Sequence, residues 1–350
     1  MNRPLYWKTR LDEVDEIVGS VKKGTVHTVA KSPGGRNIYL VEYGRKQDFN
    51  RTANYSSACG AGDAKYYANK TGKKPVLFII GAEHGSELEG TAAILNLIQL
   101  IETGKDFAGN TNPYLFNCIE YSRLLLIPIA NPDGRARIDI DSMHGLNYED
   151  FRHYAQGRWK DGTLCDWPNC KTVHPMTGYS FLGAYYNDDG INLVHDNFFG
   201  RMAKETQAIF DIADESAPDI ILHLHGGTNM QNEVIYPNHV PTEVKRRIHE
   251  LGMRVKAEAA KHGLPMLGND FNSDENPHTS FNIMSALHHV CGGLSILYES
   301  NQGIDFSGYR ELDTSWEALL SCEEILALHY ILFKQSIKYA LETDLKCYTP

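Results

Sequence analysis

Lys74-Pro-Val-Leu-Phe-Ile-Ile-Gly81 runs directly into Ala82-Glu-His-Gly-Ser-Glu-Leu-Glu89. An unbroken apolar run of this length, bounded by polar residues, is the pattern of a strand buried on both faces of a sheet. Ser86 and Glu89 have capping-box spacing, and the apolar stripe after them predicts a helix through Ile101 that stops at Gly104. The strand-to-helix step recurs. Arg123-Leu-Leu-Leu-Ile-Pro-Ile-Ala130 reads as a second buried strand, ending in the turn Asn131-Pro-Asp-Gly134. An amphipathic helix over 198–215 precedes the strand Asp219-Ile-Ile-Leu-His-Leu-His225, and a helix over 243–261 ends at Gly263. Gly292-Gly-Leu-Ser-Ile-Leu-Tyr298 is a fourth strand, and 314–342 read as a long C-terminal helix. Strands alternating with helices predict an α/β fold, a sheet covered by helices on both faces.

Outside that frame, 25–44 alternate apolar and polar residues around a Pro-Gly-Gly turn, a β-hairpin pattern, and 46–72 read as a polar surface excursion. No repeat, low-complexity tract or linker-like break divides the chain. A single catalytic domain over 1–350 is therefore expected, with its core at about 20–335 and an inserted loop at about 138–189. Ordinary connections are much shorter than that loop. Its Trp159, Trp167, Cys165 and Cys170 suggest an ordered lid or specificity wall.

The chain has 350 residues with 42% hydrophobic and 22% charged content and a net charge of −10, which excludes disorder and argues against a nucleic-acid-binding face. The longest apolar runs are too short to span a bilayer, so no membrane association is expected. The first sixteen residues hold no apolar signal-like stretch, from which a cytoplasmic protein with reduced cysteines is expected. Seven cysteines are sparse, and Cys165 and Cys170 form the one close pair without a second pair to complete a zinc site. Fifteen histidines are the more unusual number.

Several of those histidines fall where ligands of open α/β sheets bind, at the carboxyl ends of strands. His84 and Glu87 follow the first strand, His223 and His225 end the third, and Glu299 ends the fourth. Two histidines and a carboxylate with an open fourth position are the donor set of a catalytic zinc. In His223-Leu224-His225 both rings point to one side, so either can be the ligand and the other a hydrogen-bonded neighbour. Glu83 alternates away from His84, and capping is a sufficient role for Glu89.

The motifs HGSE, NPDG, LHLHGG and YES, with the hairpin SPGGRNIYLVEYG, in this order and on these elements, resemble the zinc metallocarboxypeptidases of the carboxypeptidase A/B type. The resemblance implies a mixed, mostly parallel central sheet with helices on both faces and one zinc per chain, held by His84, Glu87 and His225, the last because it directly precedes the small residue that opens the loop. Glu299 would be the general base and acid, taking a proton from water and passing it to the leaving amine. An arginine that polarises the scissile carbonyl is also implied, with Arg137 first in rank and Arg158 next. His195, Arg135, Arg158 and His223 are the candidate substrate contacts. The sequence departs from the family at Gly190-Ile-Asn-Leu-Val-His-Asp-Asn-Phe198. Asn192 stands where an aspartate behind His84 is expected, and Val194-His195 replace the Asn-Arg pair that clamps a terminal carboxylate. An imidazole cannot make the bidentate contact of a guanidinium. The expected activity is zinc-dependent cleavage of a peptide-type amide bond by a metallocarboxypeptidase acting on a small or modified peptide. A deacylase or amidohydrolase on the same scaffold is the alternative. A non-catalytic binding module is the third reading, disfavoured because ligands and base are all in place.

Overall fold

The computed structural model describes residues 3–69, 74–227, 232–268, 271, 280–305, 320–343 and 345. Among the described residues nine strands form: β1 (Thr25–Lys31), β2 (Asn37–Tyr43), β3 (Val76–Gly81), β4 (Arg123–Ile127), β5 (Gly157–Trp159), β6 (Tyr179–Leu182), β7 (Ile220–Gly226), β8 (Glu233–Ile235) and β9 (Leu294–Ser300). Seven form one sheet in the order β1-β2-β4-β3-β7-β9-β8. The four central strands are parallel, while β1, β2 and β8 run antiparallel at the edges. The mixed, mostly parallel sheet that the resemblance implied is therefore present. From β3 the chain moves outward to β4 and then returns to the other side of β3 as β7. That reversal places the switch point, where α/β sheets open a crevice, between β3 and β7.

Alternation along the strands sorts the core into two layers. Leu77, Ile79, Leu124, Leu126, Ile220, Leu222 and Leu224 face one layer, against the helices Leu11–Gly19, Glu89–Thr103, Thr242–Lys261 and Cys322–Glu342. Phe78, Ile80, Leu125, Ile127 and Ile221 face the other, against Tyr55–Gly60, Lys204–Ser216 and Ile283–Cys291. His223 and His225 share the parity of Ile221, so they project into the second layer at the end of β7.

Five local expectations change. The helix after β3 starts at Glu89 with Leu88 as its cap, and no side chain caps it, so Ser86 and Glu89 form no capping box. Glu89 is instead buried, near Gln302. The helix expected from 198 begins at Lys204, and the last helix begins at Cys322; 314–319 lie outside the described residues. The polar excursion over 46–72 holds the short helix Tyr55–Gly60, whose Tyr55 and Ala58 are buried with Tyr67 in the second layer. The NPDG segment is a short helix, Pro132–Arg137, capped by the Asn131 side chain on Gly134 N–H at 2.9 Å.

The inserted segment is ordered around its own core of Ile138, Met143, Phe151, Ala155, Cys165, Cys170, Met176 and Tyr186, with β5 and β6 pairing across it. Cys165 and Cys170 are both buried there as free thiols. Asp133 of the NPDG helix joins this segment to the hairpin. It accepts from Ser32 Oγ at 2.5 Å, Gly34 N–H at 3.0 Å, Arg36 at 2.7 Å and Asp188 N–H at 3.2 Å. No described helix is long and apolar enough to cross a membrane.

Candidate metal centre and active site

β3 ends at Gly81, where a side chain would meet the Pro128 carbonyl at 2.6 Å. Ala82 then takes a left-handed conformation, φ 48°. Backbone bonds hold this turn from both sides: Ala130 N–H donates to Gly81 O and Asn131 N–H to Ala82 O, both at 2.9 Å, and Gly85 N–H donates to Ala184 O at 2.8 Å. The turn therefore presents Glu83, His84 and Glu87 from a fixed frame at the switch point. On the neighbouring strands, His225 of β7 is in register with Glu299 of β9, so both side chains emerge side by side.

His84, Glu87 and His225 offer ligand atoms that all lie within 4.8 Å of one another, and all three residues are buried. Nδ1 of His84 is 2.7 Å from Glu87 Oε1, and Nδ1 of His225 is 2.7 Å from Glu87 Oε2. The opposite ring nitrogens are held from outside: His84 Nε2 by Asn192 Oδ1 at 3.2 Å, His225 Nε2 by Glu83 Oε2 at 2.9 Å. Outer partners of this kind set the tautomer and orientation of ligating imidazoles. Glu299 Oε2 is a buried oxygen with no hydrogen bond from a described group. Two inward Nδ1 atoms and the Glu87 carboxylate between them make up an N,N,O donor set that fits a catalytic zinc.

Burial alone would raise the Glu87 and Glu83 carboxyls, but the adjacent imidazoles outweigh it and hold both below the usual carboxylate range. Burial would likewise lower His225, and Glu87 and Glu83 overcome it. Glu299 behaves in the opposite way. Burial raises its carboxyl well above the ordinary range, with Glu87 and Glu233 reinforcing the effect and His225 opposing it. Two carboxyls driven apart by environment are an acid–base arrangement. A side chain at Gly227 would come within 2.9 Å of Glu299 Oε2, so the glycine keeps that oxygen clear.

The other sequence candidates divide. Asn192 supports His84 as expected, through a neutral oxygen. His223 does not reach the crevice: it is fully buried, with Nδ1 on Glu83 Oε2 at 2.9 Å and Nε2 on Ser295 Oγ at 3.1 Å. It supports Glu83 rather than substrate. Arg135 is also buried, its guanidinium bonded to the carbonyls of Thr9 and Ile138 and close to Asp141. Arg137, expected to polarise the carbonyl, donates to the carbonyls of Gly183 and Tyr186 at 2.9 Å and to Asp188. Both arginines are anchors of the fold. Arg158 bonds within the inserted segment, to His153, Gly162 O and Glu149. His195 is half-buried beside the centre; burial first, then Lys171, His84, His174 and His225, lower it to about 3, so it is neutral at pH 7.

Two residues were missed. Glu83 turns from His84, as strand alternation implied, but its destination is the pair His223 and His225. Tyr185 stacks on the His84 ring at 3.9 Å and 7°, beside Glu87 and Glu299. A tyrosine more than a hundred positions from its histidine leaves no local spacing to read. Glu83 did carry a signal, a carboxylate next to a ligand at a strand end.

Residues 18–340 match the family model described as zinc carboxypeptidase. Comparison with curated proteins found no match. Among solved structures, a metallo-carboxypeptidase from Burkholderia cenocepacia superposes with a TM-score of 0.58 at 14% identity, over 95% of this chain and 69% of that one. Carboxypeptidase A from Helicoverpa armigera gives 0.54 at 18% identity, over 99% and 76%. A metallo-carboxypeptidase from Pseudomonas aeruginosa, in complex with (2-guanidinoethylmercapto)succinic acid, gives 0.55 at 14%, over 94% and 67%. At these identities the superpositions speak for the fold; the match over nearly the whole chain, on a centre with the family's donor set, shows that the protein belongs to the zinc carboxypeptidase family of metallopeptidases.

Proposed function

We propose that the chain hydrolyses a peptide-type amide bond in a small or modified peptide, with one zinc held by His84, Glu87 and His225. The observation that carries this reading is the convergence of those three donors beside an undersatisfied Glu299. When bound, zinc would supply Lewis-acid polarisation of a carbonyl and lower the pKa of a water to about 7. Glu299 is the general base and acid: its carboxylate takes a proton from the attacking water, and the acid returns it to the departing nitrogen. Its raised pKa suits both halves of that cycle, because proton affinity near the working pH serves transfer in either direction. Tyr185 and Asn192 fix the His84 ring, and Glu83 with His223 fixes His225.

The test is Glu299→Gln, which is isosteric and leaves the donors in place. Elemental analysis should give one zinc per chain in both proteins, with kcat lower by about 10²–10⁴-fold in the variant. Near-normal turnover would remove Glu299 from the mechanism. A second reading, a deacylase acting on an acyl amide, is favoured by Val194 and the neutral His195 where a carboxylate clamp is expected. Free-carboxylate peptides assayed against blocked-terminus amides separate the two.

A further inference from the structure

We propose that Ser295, His223 and Glu83 act as one positioning unit, in which a hydroxyl and a buried ring hold a carboxylate in place behind His225. This rests on the ligand set of the reading above and deepens it: the support of His225 is charged and is assembled from three strands, whereas the support of His84 is a neutral amide.

His84 and His225 both turn Nδ1 toward Glu87, so their outward nitrogens can be compared directly. His84 Nε2 lies 3.2 Å from Asn192 Oδ1, an oxygen that also accepts from Val194 N–H. His225 Nε2 lies 2.9 Å from Glu83 Oε2. Among the described residues, only His225 has a carboxylate behind its outward nitrogen. That carboxylate is 1% exposed, and its Oε1 is buried with no hydrogen bond from a described group. Its described side-chain partners are the two imidazoles of His223 and His225, both on Oε2. A buried charge held by so few donors keeps its place only while each donor does.

His223 is the donor that the metal centre does not otherwise use. It is fully buried on β7, in register with Ile80 of β3 and Leu297 of β9, where an aliphatic side chain would pack with no polar group to satisfy. Its Nδ1 lies 2.9 Å from Glu83 Oε2 and its Nε2 3.1 Å from Ser295 Oγ. A carboxylate at Nδ1 fixes the proton there, so Nε2 accepts from the Ser295 hydroxyl. Ser295 is in register with Ile221, and alternation puts Ser295, His223 and His225 on one face of the sheet. The contacts therefore run from β9 to β7, on to the turn after β3, and back to β7 at His225. The hydroxyl orients the ring, the ring holds the carboxylate, and the carboxylate sets the tautomer in which His225 offers Nδ1 to the centre.

The experiment is a double-mutant cycle on zinc affinity, read on metal-free protein by competition with a chromophoric chelator. His223→Leu alone should weaken zinc binding by about tenfold or more. In a Glu83→Gln background the same substitution should change affinity by less than about twofold, because no carboxylate is left to hold. His223→Asn, which can still donate from the position of Nδ1, should recover most of the affinity. Ser295→Ala should weaken binding by about threefold, and only where Glu83 is present. This last comparison stands even if His223→Leu fails to fold. A role in packing alone would lower the Tm of the metal-free protein without making the effect on zinc depend on Glu83. Equal weakening by His223→Leu or by Ser295→Ala in the two backgrounds, or variants that bind zinc at least as tightly as wild type, overturns the proposal. Turnover plays no part in the titration, so the two readings fail separately. A wild type that shows the coupling but cleaves none of the free-carboxylate or blocked-terminus substrates refutes the hydrolase alone, and one that holds no zinc overturns both.

Discussion

Glu83 lies between two imidazoles, bonded through one oxygen to His223 and His225, and is almost completely buried. A carboxylate in that position would raise the basicity of a metal-ligating ring, and it locks the ring's tautomer. Glu83→Gln preserves the shape but removes the charge, and should weaken zinc binding by about 10–100-fold in a competition titration with a chelator. His84 has a weaker support, the neutral Asn192 oxygen, which also accepts from Val194 N–H at 3.1 Å. Asn192→Asp adds a charge without disturbing either bond and should tighten zinc binding by up to about tenfold in the same titration. A variant that binds zinc no better than wild type would mean that charge behind His84 does not limit affinity. The two substitutions move in opposite directions because one removes a charge behind a ligand and the other adds one. A mere loss of packing would weaken both.

At the scale of elements, the inserted segment is docked onto the helix Lys204–Ser216 by a buried contact, Asn187 Nδ2 to Glu205 Oε1 at 3.1 Å. Burial raises Glu205 to about 7, with Asp133 and Asp189 adding to the rise. Since its folded pKa exceeds the unfolded value, the fold binds the proton more tightly, and stability falls as pH rises from about 4.5 to about 7. Glu205→Gln is free of that cost. It should match the wild type in Tm near pH 4.5 and exceed it at pH 8, by about 1–3 kcal/mol of stability. An equal offset at both pH values would place the effect in packing instead. The elements themselves differed in how legible they were. Continuous apolar runs identified β3, β4, β7 and β9, because parallel strands buried on both faces have no polar alternation to confuse them. The helix starts were misread where polar residues had other uses: Ser86 and Glu89 have capping spacing, yet Glu89 is drawn into the interior beside Gln302. β5, β6 and β8 are three or four residues long, too short to carry a period.

Over the whole molecule, the clustering of His84, Glu87 and His225 was legible because the sheet brings strand ends together, and strand ends can be found from the sequence. The arginines were not, since a guanidinium a few residues past a turn can reach several directions, and Arg135 and Arg137 both reach toward backbone carbonyls of the fold. The centre therefore depends on the global topology, and the dependence runs both ways. His84 and Glu87 hang from the turn after β3, and His225 lies near the end of β7, so a metal held by the three residues would tie the two strands together at the switch point of the sheet. A ligand that binds only the folded state stabilises it by mass action, about 2.7 kcal/mol at a hundredfold excess over Kd. Chelation should accordingly lower Tm by several degrees, and Tm should climb with zinc concentration. Glu299→Gln should show the same zinc-dependent shift in a thermal melt while remaining inactive, because Glu299 is not among the three donors. His84→Ala should melt at one temperature with or without zinc. If Glu299→Gln also lost the shift, the carboxylate at the end of β9 would be a fourth ligand rather than the base, and the division between holding the metal and moving the proton would fail.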